Sequence, residues 1–261
     1  MKKGSLVIVG TGILTPAHLS QESVSSIKVA NVVHVLVPDP LGLTTVKKLN
    51  DNIKNLGDLY FSGCNRQHSY NIMVDAILDD VRLGLKVCAI FYGHPGVFAY
   101  PSHKSIKMAK EEGYEAKMLP AISAEDCLYA DLGVDPGDYG CQSYEATQLM
   151  FYNHTVSPYS SLIVWQIGVA GDVTLKQLSP ASNGVEMLKQ RLIEWYPEDH
   201  PVILYEASNI PMMPPRIEYL ILKDLCDAEV TTITTLFLAP ISYPTLNQAF
   251  CEKYDIDTSN L

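Results

Sequence analysis

Apolar and polar positions alternate in blocks along the first part of the chain, in a pattern typical of buried strands followed by amphipathic helices. Continuous apolar runs occupy residues 5–9, 32–37 and 86–92. Before the third run, apolar residues recur at helical spacing at Ile72, Met73, Ala76, Ile77 and Val81. This spacing predicts a helix over residues 69–85. Continuous apolar strands joined by helices indicate a mostly parallel sheet covered on both faces, which is an α/β fold.

The second part of the chain has longer candidate strands that are rich in threonine and aromatic residues. We predict strands over 161–167, 202–207 and 230–238, with a helix over 185–195 between the first two. The change of pattern near residue 117 predicts two α/β domains. The predicted domains cover residues 1–117 and 118–250, and a C-terminal tail covers 251–261.

Composition and charge limit the classes of partner. The chain has 261 residues, 47% of them hydrophobic and 18% charged, and a net charge of −10. Proteins that bind nucleic acid usually carry a basic surface, so we expect no nucleic-acid partner. No run of about 18 apolar residues occurs, so we expect neither a transmembrane helix nor a membrane partner.

The six cysteines predict neither a metal site nor a redox dithiol. They lie at positions 64, 88, 127, 141, 226 and 251, so none forms a C-x-x-C pair, and none pairs with a histidine at zinc-binding spacing. We therefore expect no metal, and we expect reduced thiols. Reduced thiols favour a cytoplasmic location.

Two glycine-rich segments follow apolar strands. Gly10 and Gly12 begin like a dinucleotide-binding turn, but Thr15 stands where the third glycine of G-x-G-x-x-G would be, so NAD binding is poorly supported. An ordinary strand-to-helix turn and a turn that approaches another ligand both remain open. The segment from Gly93 to Phe98, G-H-P-G-V-F, follows the third apolar run and places aromatic residues where open α/β sheets bind ligands.

The order of these segments resembles the tetrapyrrole methylase superfamily. The resemblance rests on the Gly10 turn, the G-H-P-G-V-F strand end, the segment A-I-S at 121–123 and the strand end Q-I-G at 166–168, which together span nearly the whole chain. It implies two α/β domains with a cleft for S-adenosylmethionine between them, and S-adenosylhomocysteine as product. The implied cofactor-binding residues are Tyr92, His94, Val97, Phe98, Ser123, Ala124, Gln166, Ala207, Leu238 and Ala239.

Within the superfamily, the segment 60–70 resembles the borosin-type methyltransferases, which methylate backbone amides of ribosomally made precursor peptides. That group carries Tyr-x5-Arg-x3-Tyr, matched here by Tyr60, Arg66 and Tyr70, and a tyrosine before the H-P-G motif, matched by Tyr92. Fungal members carry their substrate on the same chain. This sequence ends at Leu261, which led us to expect a separate precursor peptide. Superfamily members generally pair, so we also expect a homodimer, or a heterotetramer with two precursor chains.

The chemistry of amide methylation explains why these side chains would be useful. An amide nitrogen is a poor nucleophile because its lone pair is delocalised, so a base must remove its proton while charge develops on the carbonyl oxygen. Arg66 and Tyr70 are four residues apart on one helical face, where a guanidinium favours a phenolate. We assign Tyr70 as the leading base, Arg66 as its electrostatic partner and Tyr92 as the donor to the oxygen. Tyr60 either orients the peptide or completes the phenol cluster. The tyrosine roles are interchangeable at this stage.

Two other functions compete with this hypothesis. One is a small-molecule methyltransferase that acts on carbon atoms of a corrin or porphyrin ring, which needs no amide base. The other is a module that binds the cofactor or a peptide without turnover.

Overall fold

The computed structural model describes residues 3–59, 66–172 and 183–259. These residues form two compact units. The first contains residues 3–59, 66–134, 172 and 205–217, and the second contains residues 135–171, 183–204 and 218–259. The first unit therefore continues past residue 117, the boundary predicted from the sequence.

The first unit contains a five-stranded parallel sheet in the order β3-β2-β4-β1-β5. Its strands are β1 (Ser5–Gly10), β2 (Val32–Leu36), β3 (Ile53–Asn55), β4 (Lys86–Phe91) and β5 (Glu115–Met118). Its helices are α1 (Gln21–Val29), α2 (Pro40–Leu49), α3 (Arg66–Arg82), α4 (Tyr100–Glu111) and α5 (Ala124–Leu132), with a short 3₁₀ helix at Leu56–Leu59. The predicted α/β class and parallel sheet are confirmed.

Both faces of this sheet are buried, because successive residues of a strand point to opposite faces. In β4, Ala89 packs into one core with the apolar face of α3, which includes Met73. Its neighbour Ile90 packs into a second core with Ile27 of α1. Helices on both faces explain why the strands are continuously apolar, as the sequence predicted.

A buried polar cluster fixes α3 against the sheet. His34 of β2 contacts Asp80 of α3 at 2.7 Å, and the Lys54 ammonium of β3 donates to the same carboxylate at 2.7 Å. Burial alone would raise the pKa of Asp80, but the hydrogen bonds from Lys54 and His34 outweigh it and lower this pKa. The carboxylate therefore stays charged and ties α3 to two strands. This helix begins with Arg66 and carries Tyr70, so the cluster also positions the candidate site.

A second, mixed sheet in the order β6-β7-β10-β8-β9 lies mainly in the second unit, and residues 205–206 of β8 and 216–217 of β9 are counted with the first unit. Its strands are β6 (Cys141–Glu145), β7 (Ser161–Trp165), β8 (Pro201–Glu206), β9 (Arg216–Ile221) and β10 (Thr235–Leu238). The helices of the second unit are α6 (Pro136–Tyr139), α7 (Ala146–Phe151), α8 (Gly184–Leu192) and α9 (Gln248–Lys253), with 3₁₀ helices at Ile167–Val169 and Leu222–Asp227. None of the helices described in either unit is long and apolar enough to cross a membrane.

The predicted strand over residues 230–238 is wrong in its first part. The backbone N–H of Thr231 donates to the Thr234 hydroxyl at 2.8 Å, which closes a turn before β10 begins at Thr235. The threonines that suggested β structure instead form this turn, because threonine hydroxyls readily bond to nearby backbone groups.

Candidate functional site

Two glycine loops meet at the carboxyl ends of the neighbouring strands β1 and β4. Gly93 donates its backbone N–H to the carbonyl of Gly12 at 3.1 Å, and Gly12 donates to Gly93 at 3.2 Å. A Cβ added at Gly10 would lie 2.2 Å from the carbonyl oxygen of Gly93. Glycine at this position therefore allows the two loops to approach, at the sheet edge where open α/β proteins bind ligands.

A pocket of about 590 Å³ lies at this edge of the first unit. Its walls come mainly from segments 36–40 and 97–101, together with Phe91 at the end of β4. Tyr70, Tyr92, Val97 and Phe98, four of the predicted site residues, line it together. A volume of this size, within the usual range of about 300–1,000 Å³, is sufficient for a cofactor-sized ligand.

Tyr92 directly follows β4 and lies half-buried at this pocket. Burial is the main cause that raises its pKa, and the carboxylate of Asp39 and the thiol of Cys127 add to it, so the pKa reaches about 12. The phenol therefore keeps its proton at neutral pH. Asp39 lies on the wall of the same pocket and also caps α2, where its carboxylate accepts the Gly42 N–H.

Arg66 and Tyr70 both lie in the first turns of α3, as predicted. The Arg66 guanidinium forms an ion pair with the buried carboxylate of Asp172 at 3.5 Å, a partner that the sequence did not predict. The Tyr70 ring stacks on Tyr100, with ring centroids 6.1 Å apart. Asp172 and Tyr100 were missed because no spacing rule connects them to α3. The predicted Tyr60 lies outside the described residues.

His94 and the residues after it form the turn that shapes one wall of the pocket. The His94 Nδ1 accepts the Gly96 N–H at 3.0 Å, and His103 Nε2–H donates to the Gly96 carbonyl at 2.8 Å. After this turn, Phe98 adopts a left-handed conformation with φ of 50° and is 55% exposed. Such strain in a bulky residue is uncommon and concentrates at functional sites.

Ser123 and Ala124 lie at the amino end of α5 in the same unit. The Ser123 hydroxyl donates to the Asp126 carboxylate at 2.8 Å and accepts the Asp126 N–H, which forms a capping box. The hydroxyl is therefore used within the helix cap. Contact of this segment with a cofactor stays a prediction.

The remaining predicted cofactor residues follow other strands. Gln166 follows β7 with φ of 59°, and Ala207 follows β8. Because β10 runs antiparallel to β7, Leu238 pairs with Leu162 at the beginning of β7.

The direction of β10 places Ala239 at the edge of the second sheet opposite to Gln166. Contact of Gln166, Leu238 and Ala239 with the cofactor stays a prediction. The Leu238 side chain is also completely buried in the core. The beginning of β10 lies beside Gln166 instead, where the Ile167 N–H donates to the Thr234 carbonyl at 3.2 Å.

Potential metal ligands do not cluster in the part of the chain that the structure describes. No group of three or more His, Cys, Asp or Glu side chains there could hold a metal ion.

Comparison with known protein families identifies one family. Residues 5–209 match the tetrapyrrole (corrin/porphyrin) methylases. Two solved structures have a similar fold. A uroporphyrin-III C-methyltransferase from Thermus thermophilus aligns with a TM-score of 0.63 at 18% identity, over 91% of this chain and 93% of its own. A cobalt-precorrin-4 methyltransferase aligns with a TM-score of 0.63 at 16% identity, over 90% and 94%.

Curated relatives are more similar in sequence. A methyltransferase and type I borosin cyclic peptide precursor of Coprinopsis marcescibilis is 39% identical over 99% of this chain and 68% of its own length. The gymnopeptide precursor of Gymnopus fusipes is 41% identical over 91% and 57%. The omphalotin A precursor of Omphalotus olearius is 37% identical over 92% and 58%. The chain therefore spans 57% to 68% of the length of these relatives.

Proposed function

The chain belongs to the tetrapyrrole (corrin/porphyrin) methylase family and, within it, to the borosin-type methyltransferases, and from that premise we propose that it methylates backbone amide nitrogens of a ribosomally made precursor peptide with S-adenosylmethionine. One observation carries the proposal: Tyr70 and Tyr92 line the same pocket. Methylation of a ring carbon requires no pair of phenols, whereas an amide requires both a base and an oxygen donor.

The residues of the pocket fit S-adenosylmethionine. This cofactor supplies a methyl group bound to a positively charged sulphur. The faces of Tyr92 and Phe98 and the carboxylate of Asp39 line the pocket, and aromatic faces and carboxylates both attract a cation. The glycine loops also bring backbone groups to the same sheet edge.

Tyr70 and Arg66 are proposed to remove the amide proton. Tyr70 takes the proton on its phenolate oxygen, which restores electron density to the amide nitrogen for attack on the methyl group. The positive charge of Arg66 lies one helical turn away and stabilises the phenolate. The guanidinium also forms an ion pair with Asp172, which limits the movement of Arg66.

Tyr92 is proposed to stabilise the developing negative charge on the amide oxygen. A phenol can do this only while it holds its proton, and its raised pKa keeps Tyr92 protonated at neutral pH. The two tyrosines thus have complementary roles: Tyr70 accepts the amide proton, and Tyr92 donates a hydrogen bond to the amide oxygen.

The proposal is tested by incubating the purified protein with deuteromethyl-labelled S-adenosylmethionine and a candidate precursor peptide, followed by fragmentation mass spectrometry. We expect labelled methyl groups on backbone nitrogens. A parallel incubation with a reduced porphyrin ring tests carbon methylation. Label on the ring and none on peptide would replace the proposal with a small-molecule activity. Cofactor binding in a titration without any labelled product would indicate a non-catalytic module.

The proposed substrate is a separate polypeptide, and the proposed active form is a homodimer, or a heterotetramer once two precursor chains are bound. Light scattering of the protein alone and with a precursor peptide checks both statements. We expect a dimer that gains two peptide chains. A stable monomer at micromolar concentration would contradict the assembly without affecting the chemistry.

A further inference from the structure

A second pocket of about 410 Å³ adjoins the first in the same unit. It is formed by two short segments, residues 38–41 and 209–211, and we call it the flank pocket. Residues 38–40 line both pockets, so the two share a wall. A ligand chain that enters the first pocket thus passes directly beside the second.

The lining of the flank pocket is mostly apolar. Ile210 is 57% exposed and Leu41 is 47% exposed, and two further apolar side chains, Met212 and Met213, lie exposed immediately after the pocket segment. Exposed apolar residues that cluster in one place mark binding surfaces more often than singly scattered ones do. Methionine side chains are flexible and adapt to different apolar partners.

The polar groups of the flank pocket restrict which side chains it accepts. Asp39 supplies a carboxylate at the shared wall, and Asn209 supplies an amide. A negative charge at the wall disfavours acidic substrate residues, since like charges repel. The apolar surface of Leu41 and Ile210 favours an aliphatic side chain.

We propose that the flank pocket binds an aliphatic side chain of the substrate peptide next to the amide that is methylated, and thereby selects the methylation site. This inference rests on the proposed function and names its substrate class. In an extended peptide each residue advances by about 3.3 Å, so a neighbouring side chain reaches a pocket that shares a wall with the first. Ile210 and Leu41 then determine specificity, and Tyr70 and Tyr92 act on the amide.

The test uses three synthetic peptides, acetyl-Val-X-Val-methylamide, in which X is leucine, asparagine or glutamate. Binding is followed by the methyl resonances of Leu41 in the absence of methyl donor. We expect the leucine peptide to bind about tenfold or more tightly than the asparagine peptide, the usual range for an apolar pocket. Ile210→Ser should remove most of this preference. Leu83→Ser is the control, because Leu83 is an aliphatic residue that is 76% exposed after α3 and lines neither pocket.

A second variant tests the pocket through a gain of specificity. Ile210→Lys places a cation at an exposed position, so it should fold normally and should bind the glutamate peptide better than the native protein does. Equal binding of leucine and asparagine peptides to the native protein, or equal losses in Ile210→Ser and Leu83→Ser, would overturn the proposal.

The same peptides separate the flank pocket from the proposed function. Leucine-selective binding together with no methylation of any peptide would refute the proposed function and leave the pocket in place. Methylation of a precursor peptide at rates that ignore both the neighbouring residue and Ile210 would refute the flank pocket alone.

Discussion

Tyr70→Phe is expected to slow methyl transfer to a precursor peptide by about two to four orders of magnitude, the usual effect of losing a general base. The substitution keeps the aromatic ring, which packs against the core below α3 and stacks on Tyr100. S-adenosylmethionine should therefore bind with unchanged affinity. Single-turnover methylation measured by mass spectrometry, with a cofactor titration beside it, gives both quantities.

Tyr100→Phe is the matched control for this experiment. It removes a phenol oxygen from the ring stacked on Tyr70, and its hydrogen bond to Asn71 is long at 3.5 Å, so turnover should stay near the native rate. Arg66→Lys should be strongly impaired, because a lysine ammonium does not reproduce the planar guanidinium that pairs with Asp172. A native rate in Tyr70→Phe would assign the base to another tyrosine. Lost cofactor binding in that variant would make the cluster structural.

The first sheet could be predicted from sequence because each of its central strands is buried on both faces. Strands β1, β2 and β4 appear as largely apolar runs, and α3 has a clear helical spacing of apolar residues. By contrast, α2 was missed, although Asp39 and Pro40 form a good amino-terminal cap. The helix buries only Gly42 and Val46, so its apolar periodicity is weak.

The second sheet shows that an apolar pattern predicts a strand but not the direction in which the strand runs. Residues of β10 are apolar whichever way the strand runs, because burial depends on neighbours and not on direction. The antiparallel pairing with β7 separates Ala239 from Gln166, although both follow strands. The direction of a strand depends on the connection that leads the chain back to the sheet. The local sequence of the strand does not determine that connection.

The residues of the candidate site that belong to short motifs could be predicted from the sequence, whereas their partners from distant parts of the chain could not. The tyrosines and Val97 and Phe98 come from short segments with fixed spacing, and the structure gathers four of them around one pocket. Asp172, which pairs with Arg66, and Asp39, which acts on Tyr92, are distant in sequence from the residues they influence. Their roles depend on tertiary packing, which spacing rules do not describe.

Tyr92→Phe should lower the rate of methyl transfer by about two to three orders of magnitude, the usual effect of removing one donor to a developing oxyanion. The ring and its packing beside the glycine loops remain, so peptide binding should change much less than the rate. Rates and apparent peptide affinities from single-turnover experiments separate the two. A loss confined to peptide affinity would show that Tyr92 orients the substrate and does not stabilise charge.

The pH dependence tests whether Tyr92 acts as a proton-bearing donor. Its pKa is raised to about 12, so the native rate should not fall as pH passes about 10, where an ordinary tyrosine loses its proton. Asp39→Asn removes a carboxylate that opposes the phenolate, so the pKa of Tyr92 should drop and the rate should begin to fall at a lower pH than in the native protein. Asparagine caps helices about as well as aspartate, which preserves α2. Circular dichroism at each pH separates unfolding from titration. A native rate that falls near pH 10 with the fold intact would mean that the donor is a group with an ordinary phenol pKa, and Tyr92 would then lose its assigned role.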